Sequence, residues 1–139
     1  NLLLSLRNFN QVVIWDGSSI IESFKNIPHV HDPAFVNGEL YAAEHDYYAQ
    51  RVLKLQKNKV HDEVWVMPYR DYKEWSPVRT MQPIDNKYFF ITGSQAMGLI
   101  DLKGNLLWEA KLKGFGHQKK QKGRYKKPFL YKAVFVSAN

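Results

Sequence analysis

The sequence predicts an all-β protein, a partial β-propeller of about three four-stranded antiparallel blades. In residues 88–109, aromatic and β-branched runs alternate with breaks at 93–95 and 102–104, a pattern typical of three successive antiparallel strands. Residues 39–65 and 12–22 show the same pattern, each ending in a hairpin. The closing strands recur roughly every 40 to 45 residues, which is the period of four-stranded propeller blades.

The N-terminal segment predicts the outer strands of a first blade. Residues 1–10 are leucine-rich and fit either a short edge strand or a helical turn; we favour the strand. Residues 11–24 form a hairpin, because Asp16 and Gly17 are the residues that a tight hairpin turn requires.

The next segment predicts an inner hairpin. Pro28 breaks pairing in the connector, and residues 34–36 and 39–43 then flank an Asn37-Gly38 turn. This arrangement places His31 and Asp32 at the start of an inner strand, which faces the central channel in a propeller.

The remaining strands follow the same order. Residues 51–55 and 60–65 complete the second blade, and 68–77 form a polar and aromatic connector. Residues 78–81 and 87–91 repeat the inner hairpin, and 88–91 are also the first of the three strands in 88–109. Three tryptophans, Trp15, Trp65 and Trp108, recur in the closing hairpins, and we expect them in the core between blades. Trp75 is the exception, since charged residues surround it.

The two ends suggest how the sheet edges are sealed. After Leu112 the pattern fails, and residues 129–136 predict a last, inner strand without outer partners. Joining it to the N-terminal strands would hide two edges that otherwise template aggregation. Three blades are too few for a ring of four to eight, so we expect a homo-oligomer or a piece of a longer propeller. The first residue, Asn1, also indicates a processed or excised chain. We treat 1–139 as a single domain.

Composition excludes several classes of protein. Hydrophobic content of 45% and aromatic content of 14% exclude a disordered chain. No apolar stretch is long enough to cross a bilayer, and residues 2–4 are too short for a signal peptide. The absence of cysteine excludes disulfides and thiolate zinc sites and leaves localisation open. No cofactor is predicted.

Positive charge is concentrated in one loop, residues 114–128. The net charge is +7, and removing the six cations of this loop's basic run leaves +1. No acidic residue interrupts them: Lys119, Lys120, Lys122, Arg124, Lys126 and Lys127. With Phe115, His117 and Tyr125 interleaved, the loop suits a nucleic acid or an acidic protein. The alternative is a solvated loop with excess lysine.

Histidines provide the other candidate site. His29, His31 and Asp32 are residue types that bind transition metals, but no further ligand follows at helical or strand spacing, so we predict no metal site. His45 and Asp46 are adjacent and would point to opposite sides of a strand. A catalytic histidine needs a carboxylate partner to fix its tautomer, and Asp32 or Asp46 would serve.

The pattern His31-Asp32, Asn37-Gly38, a hydrophobic hairpin at 51–55 and then Trp65 resembles the blades of arylsulfotransferase-type and quinoprotein-type propellers. The resemblance covers roughly residues 11–112. It implies channel-facing histidines that accept a sulfuryl group, carried here by His31 and His45, with Arg79 or Arg51 as an anion clamp.

A second segment, 96–104, resembles the LAGLIDADG motif of homing endonucleases. In that family the later acid of the motif binds a divalent metal, and Lys103 occupies its place here. This resemblance implies a nucleic-acid-binding relative without the metal-binding acid. Between these possibilities we favour a non-catalytic propeller module for structure and interaction that uses its basic loop. The enzyme and the endonuclease relative remain the alternatives.

Overall fold

The computed structural model describes residues 1–45, 49–68, 80–116, 120–125, 127–128 and 130–137, with only the backbone at 49, 68, 120, 121 and 125. The described chain is all-β, as predicted, and its single helical element is the 3-10 turn Arg7–Phe9. No helix in these ranges has the length and apolar character of a membrane span.

The first sheet, sheet A, is antiparallel and has three strands in the order β1-β2-β3. They are β1 (Leu2–Leu6), β2 (Gln11–Trp15) and β3 (Ile20–Phe24). The β2–β3 turn is closed by the Asp16 carboxylate, which accepts hydrogen bonds from the backbone N–H groups of Ser18 and Ser19 at 2.8 and 2.9 Å. The strand preferred for residues 1–10 is confirmed at Leu2–Leu6, whereas Arg7–Phe9 form a helical turn, and the sheet has three strands instead of four.

The second sheet, sheet B, is antiparallel with strands in sequence order. They are β4 (His31–Val36), β5 (Glu39–His45), β6 (Ala49–Lys54) and β7 (Asp62–Pro68). Asn37 and Gly38 join β4 to β5 with φ angles of 51° and 77°. Two consecutive positive φ angles define the type I′ turn that matches the twist of a hairpin, so the Asn-Gly prediction is confirmed.

The third sheet, sheet C, repeats this strand order. Its strands are β8 (Thr80–Ile84), β9 (Tyr88–Thr92), β10 (Ala96–Asp101) and β11 (Leu106–Lys111). The β10–β11 turn resembles that of β2–β3, because the Asp101 carboxylate accepts the backbone N–H groups of Lys103 and Asn105, each at 2.9 Å. The three strands predicted in residues 88–109 are confirmed.

Sheet B lies between the other two and contributes to two separate cores. On β5, Leu40 and Ala42 pack with sheet A, whereas Tyr41 and Ala43 pack with sheet C. Side chains alternate between the faces of a strand, so consecutive residues of β5 enter different cores. The Tyr41 and Phe89 rings meet between sheets B and C at 5.0 Å between centroids. The described sheets form an open stack and do not close into a ring.

Related irregularities occur in all three sheets. The last hairpin of each sheet has a register shift, after Ile14 in sheet A, after Val52 in sheet B and after Leu99 in sheet C. The inner hairpins of sheets B and C also touch, since the Asn37 side-chain amide donates to the Asn86 carbonyl at 3.0 Å. Bulges bend a strand and increase its twist, so all three sheets bend at their outer hairpins.

The tryptophan prediction is confirmed at only one of its three positions. Trp65 is 6% exposed in the core between sheets B and C. Trp15 is partly buried, and Trp108 is 49% exposed. Trp108 lies on a face of sheet C that no other sheet of the described residues covers, so its position in the strand alone did not determine its burial. Trp75 lies outside the described residues.

The final strand predicted at 129–136 is not formed in the part of it that the structure describes, 130–136. The segment 130–137, which we call the C-terminal segment, instead lies against sheet C. Leu130 donates its N–H to the Ser94 carbonyl at 2.7 Å. The Gln82 side chain bonds both the N–H and the carbonyl of Phe135, at 2.8 and 3.1 Å. These described backbone bonds of the C-terminal segment therefore go to a loop and to a side chain of sheet C.

Candidate functional site

Three histidines lie at one end of sheet B. Strand β4 begins at His31 and strand β5 ends at His45, and the antiparallel pairing of His31 with Ala43 brings these ends together. The ring of His29, just before β4, lies 5.7 Å from the ring of His45 between centroids. His29 has a φ of 49°, so its backbone is left-handed and does not extend strand β4.

Asp32 joins this end of sheet B to sheet C. It has a φ of 50° within a bulge of β4, and its Oδ2 accepts the backbone N–H of Met81 on β8 at 2.9 Å. The same oxygen lies 3.7 Å from His31 Nδ1, which exceeds hydrogen-bonding distance. Among the described residues, His31 Nδ1 is buried without a hydrogen-bond partner. The carboxylate expected to orient a histidine therefore binds the backbone of the neighbouring sheet.

The other proposed participants are placed differently. In the described ranges, no three His, Asp or Glu side chains are grouped so as to hold a metal ion. Asp46 and Arg79 fall outside these ranges. The structure thus brings His31 and His45 to one end of a sheet, together with His29.

Arg51, the second candidate for an anion clamp, already pairs with two carboxylates. Its Nε donates to Glu44 Oε1 at 2.5 Å, its Nη2 also contacts that oxygen, and its Nη1 donates to Glu63 Oε1 at 2.6 Å. Burial alone would lower the Arg51 pKa, but the hydrogen bonds and charges of Glu44 and Glu63 raise it overall. The guanidinium stays charged and joins β5, β6 and β7, and two acids already compensate its charge.

The basic loop contains a small hairpin that the sequence analysis did not predict. Strands β12 (Lys120–Gln121) and β13 (Arg124–Tyr125) pair antiparallel, and Lys122 and Gly123 form the turn with φ angles of 50° and 77°. Gly123 was a partial signal, because glycine suits the second position of a two-residue turn with positive φ angles, but lysine does not favour the first position.

The basic loop presents its described cations to solvent. Lys122, Arg124 and Lys127 are exposed. At the base of the loop, Gly116 donates its N–H to the Pro128 carbonyl at 2.7 Å, which ties the two ends of the loop together. Lys119 and Lys126 lie outside the described residues, and Lys120 is described only in its backbone. The described cations therefore project from a closed loop.

A groove of about 640 Å³ between the outer strands of sheets A and B was also not predicted. Lys25, Lys59 and His61 are among its lining residues. His61 connects the two sheets: its Nδ1 accepts the Gln56 N–H at 2.9 Å, and its Nε2 lies 2.6 Å from the Lys25 carbonyl. Both ring nitrogens are engaged, which makes His61 a structural residue.

Comparison of the chain with protein-family models, curated proteins and solved structures gave no match.

Proposed function

We propose that this chain is a propeller-type module for structure and interaction, and that the basic loop 114–128 binds a polyanion. The observation that carries the proposal is the exposed basic hairpin. The six cations of the loop that carries this hairpin account for almost the whole net charge of +7, and those whose side chains are described, Lys122, Arg124 and Lys127, face solvent. Clustered cations gain affinity for a polyanion by releasing its counterions.

The stacking of the sheets supports the propeller part of the proposal. Sheets B and C have the same strand order, and each of the three sheets has a bulge in its last hairpin. The six residues 25–30 lead from the last strand of sheet A to the first strand of sheet B, as in blades arranged around an axis. The two cores between successive sheets are what such packing requires.

Binding of a fluorescent single-stranded oligonucleotide, followed by anisotropy at several salt concentrations, tests the polyanion proposal. We expect binding whose logarithmic salt dependence becomes shallower by roughly 0.7 for each phosphate contact removed. The test variant combines Lys122→Gln, Arg124→Gln and Lys127→Gln. Its matched control combines Lys59→Gln, Lys87→Gln and Lys103→Gln, three exposed lysines elsewhere.

The control separates a specific site from the general effect of net charge. Equal losses of affinity in the two triple variants, or no binding by the native chain, would contradict the proposal. Polyglutamate used as a competitor distinguishes the two kinds of partner. If it displaces the oligonucleotide at equal charge concentration, the loop recognises charge alone. If it does not, base stacking contributes.

A second candidate function, sulfuryl transfer, is favoured by the histidine cluster. The His29 and His45 rings lie 5.7 Å apart, and His31 begins the adjacent strand. If the chain is such an enzyme, the variants His31→Ala and His45→Ala should no longer transfer a sulfuryl group from an aryl sulfate to a phenol. The control, His61→Gln, changes a histidine that joins sheets A and B and should keep that activity. A native chain without transfer activity would remove this candidate.

The endonuclease resemblance receives less support. Residues Ala96–Asp101, which carry most of the resemblance, form strand β10, paired with β9 on one side and β11 on the other. Lys103 lies in the following turn and donates its backbone N–H to Asp101. Binding of nucleic acid is therefore better assigned to the basic hairpin than to this segment.

A further inference from the structure

Sheet C has an outward face that no other described sheet covers. Phe89, Ile91 and Ile100 pack toward sheet B, so their neighbours Phe90 and Leu99 lie on the opposite face. A row of paired residues crosses that face from β8 to β11: Gln82, Phe90, Leu99 and Trp108. The row ends at Trp108, which is 49% exposed.

Trp65 shows what covers the corresponding position on sheet B. Trp65 pairs with Val52 and Trp108 pairs with Leu99, in both cases at the last regular pair before the bulge. Trp65 is only 6% exposed, because sheet C packs over it. An exposed tryptophan in an apolar row is typical of the centre of a protein interface. Sheet C is therefore suited to receive another sheet on this face.

One side of the outward face is already in contact with the C-terminal segment. The Gln82 side chain holds the backbone of Phe135 at the first position of the row, and Leu130 is fixed to Ser94 nearby. Val134 and Val136 of this segment are 54% and 89% exposed. The open surface at Trp108 is thus continuous with a contact that this chain already makes, and the segment lies at its border.

Sheet A has the complementary properties at the other end of the stack. It has three strands where sheets B and C have four, and β1 is an edge strand. Leu2, Leu4 and Ile20 lie on the face turned away from sheet B and are 55%, 37% and 55% exposed. Sheet A therefore has an apolar outer face. Beside that face, the free edge of β1 pairs with no other described strand.

We propose that a second copy of this chain covers the outward face of sheet C, with its sheet A packed over Trp108. Strand β1 of that copy then pairs with the C-terminal segment, which supplies a fourth strand to the three-stranded sheet. This pairing seals the free edge of β1 and gives the C-terminal segment a strand partner. The contact joins two different surfaces, so a finite assembly must close into a ring, most simply of two copies. This interface does not depend on polyanion binding.

Sedimentation over a range of protein concentrations tests the interface. We expect the native chain to associate, and Trp108→Glu to weaken association at least tenfold because a carboxylate would be buried against leucine side chains. The matched control is Val60→Glu, since Val60 is 88% exposed in a turn of sheet B. A native chain that stays monomeric at the highest concentration would overturn the proposal, as would equal association of the two variants.

Cysteine cross-linking tests the strand pairing directly, because the chain contains no cysteine of its own. Ser5→Cys on β1 is mixed with Val134→Cys, and separately with Phe135→Cys to cover the alternative register. We expect a mixed disulfide with one of the two partners. Ser18→Cys, in the β2–β3 turn, is the control and should form little. If the Ser5 and Ser18 variants cross-link equally, the strand pairing is wrong.

Discussion

Gly104 lies so close to the backbone of Val64 that a Cβ atom at position 104 would be 1.6 Å from the Val64 carbonyl oxygen. The turn between β10 and β11 of sheet C thereby packs directly on strand β7 of sheet B. Gly104 also has a φ of +87°. Both conditions favour glycine, and the close approach fixes how the outer edges of two sheets meet.

Gly104→Ala should destabilise the protein more than Gly17→Ala. Both glycines have a positive φ, so the backbone strain is shared, but no atom lies within 4 Å of a Cβ at Gly17. The extra steric cost at Gly104 should be about 1–3 kcal/mol, as for overpacking elsewhere. Urea unfolding of the two variants measures the difference. Equal free energies of unfolding would show that the turn can move away from β7.

Asp32→Ala should lower stability by about 2 kcal/mol, because the Met81 N–H would lose its acceptor. Asp85→Ala is the matched control, since Asp85 has a similar positive φ of 53° and lies exposed in a turn. Asp32→Asn should largely restore stability, as its amide oxygen can accept the same bond. Chemical denaturation checks all three. A carboxylate role in catalysis alone would leave unfolding unchanged in Asp32→Ala.

Arg51→Met should cost about 3 kcal/mol of unfolding free energy, since Glu44 is fully buried and would lose its guanidinium. Lys57→Met removes an exposed ion pair with Glu22, 3.3 Å apart, and should cost less than about 1 kcal/mol. The double variant Arg51→Met with Glu44→Gln should be more stable than the sum of the single changes implies. Strict additivity would contradict a direct coupling between the two residues.

Stability should fall in acid partly through Asp16 and Asp101. Hydrogen bonds from Ser19 and Ser18 lower the Asp16 pKa, and hydrogen bonds from Asn105 lower that of Asp101. A lowered pKa in the folded state stabilises the fold above the unfolded value, near 4, and this contribution disappears as the pH falls through the folded value.

Urea midpoints measured from about pH 6 to pH 2 test this expectation. Asp16→Asn and Asp101→Asn should each be less stable than the native chain at neutral pH and should lose less on acidification. Asp85→Asn, in the β8–β9 turn, is the control and should follow the native profile. A native-like acid slope in both turn variants would show that these carboxylates are equally stabilised in the unfolded chain.

Local signals were sufficient to predict most of the strands. Asn37 and Gly38 formed the two-residue turn that they favour, and Asp16 and Gly17 began a four-residue turn, 16–19, that the Asp16 carboxylate closes. The β-branched and aromatic runs between these turns became strands. His31 and His45 were brought to one end of a sheet because hairpin pairing follows directly from turn position. These features depend on neighbours that are close in sequence.

Features that depend on distant neighbours could not be predicted. Trp65 and Trp108 occupy related positions, but only Trp65 has another sheet packed over it. Residues 130–136 have strand-like composition, yet their bonding is decided by Gln82 and Ser94. The partners of Arg51 came from β5 and β7, and no sequence spacing identifies both acids. In each case tertiary contacts determined the outcome.

The alternation of β5 between two cores makes this strand unusually sensitive to insertions. A single extra residue before Leu40 would exchange the side chains that point toward sheets A and C. Tyr41 would then face the core between sheets A and B, and Leu40 the core between sheets B and C. Both inter-sheet contacts would fail together, whereas the same insertion in a strand with one solvent-facing side would disturb one contact. Sheet B therefore holds both neighbouring sheets in place. Insertions should be tolerated in its turns and not within β5.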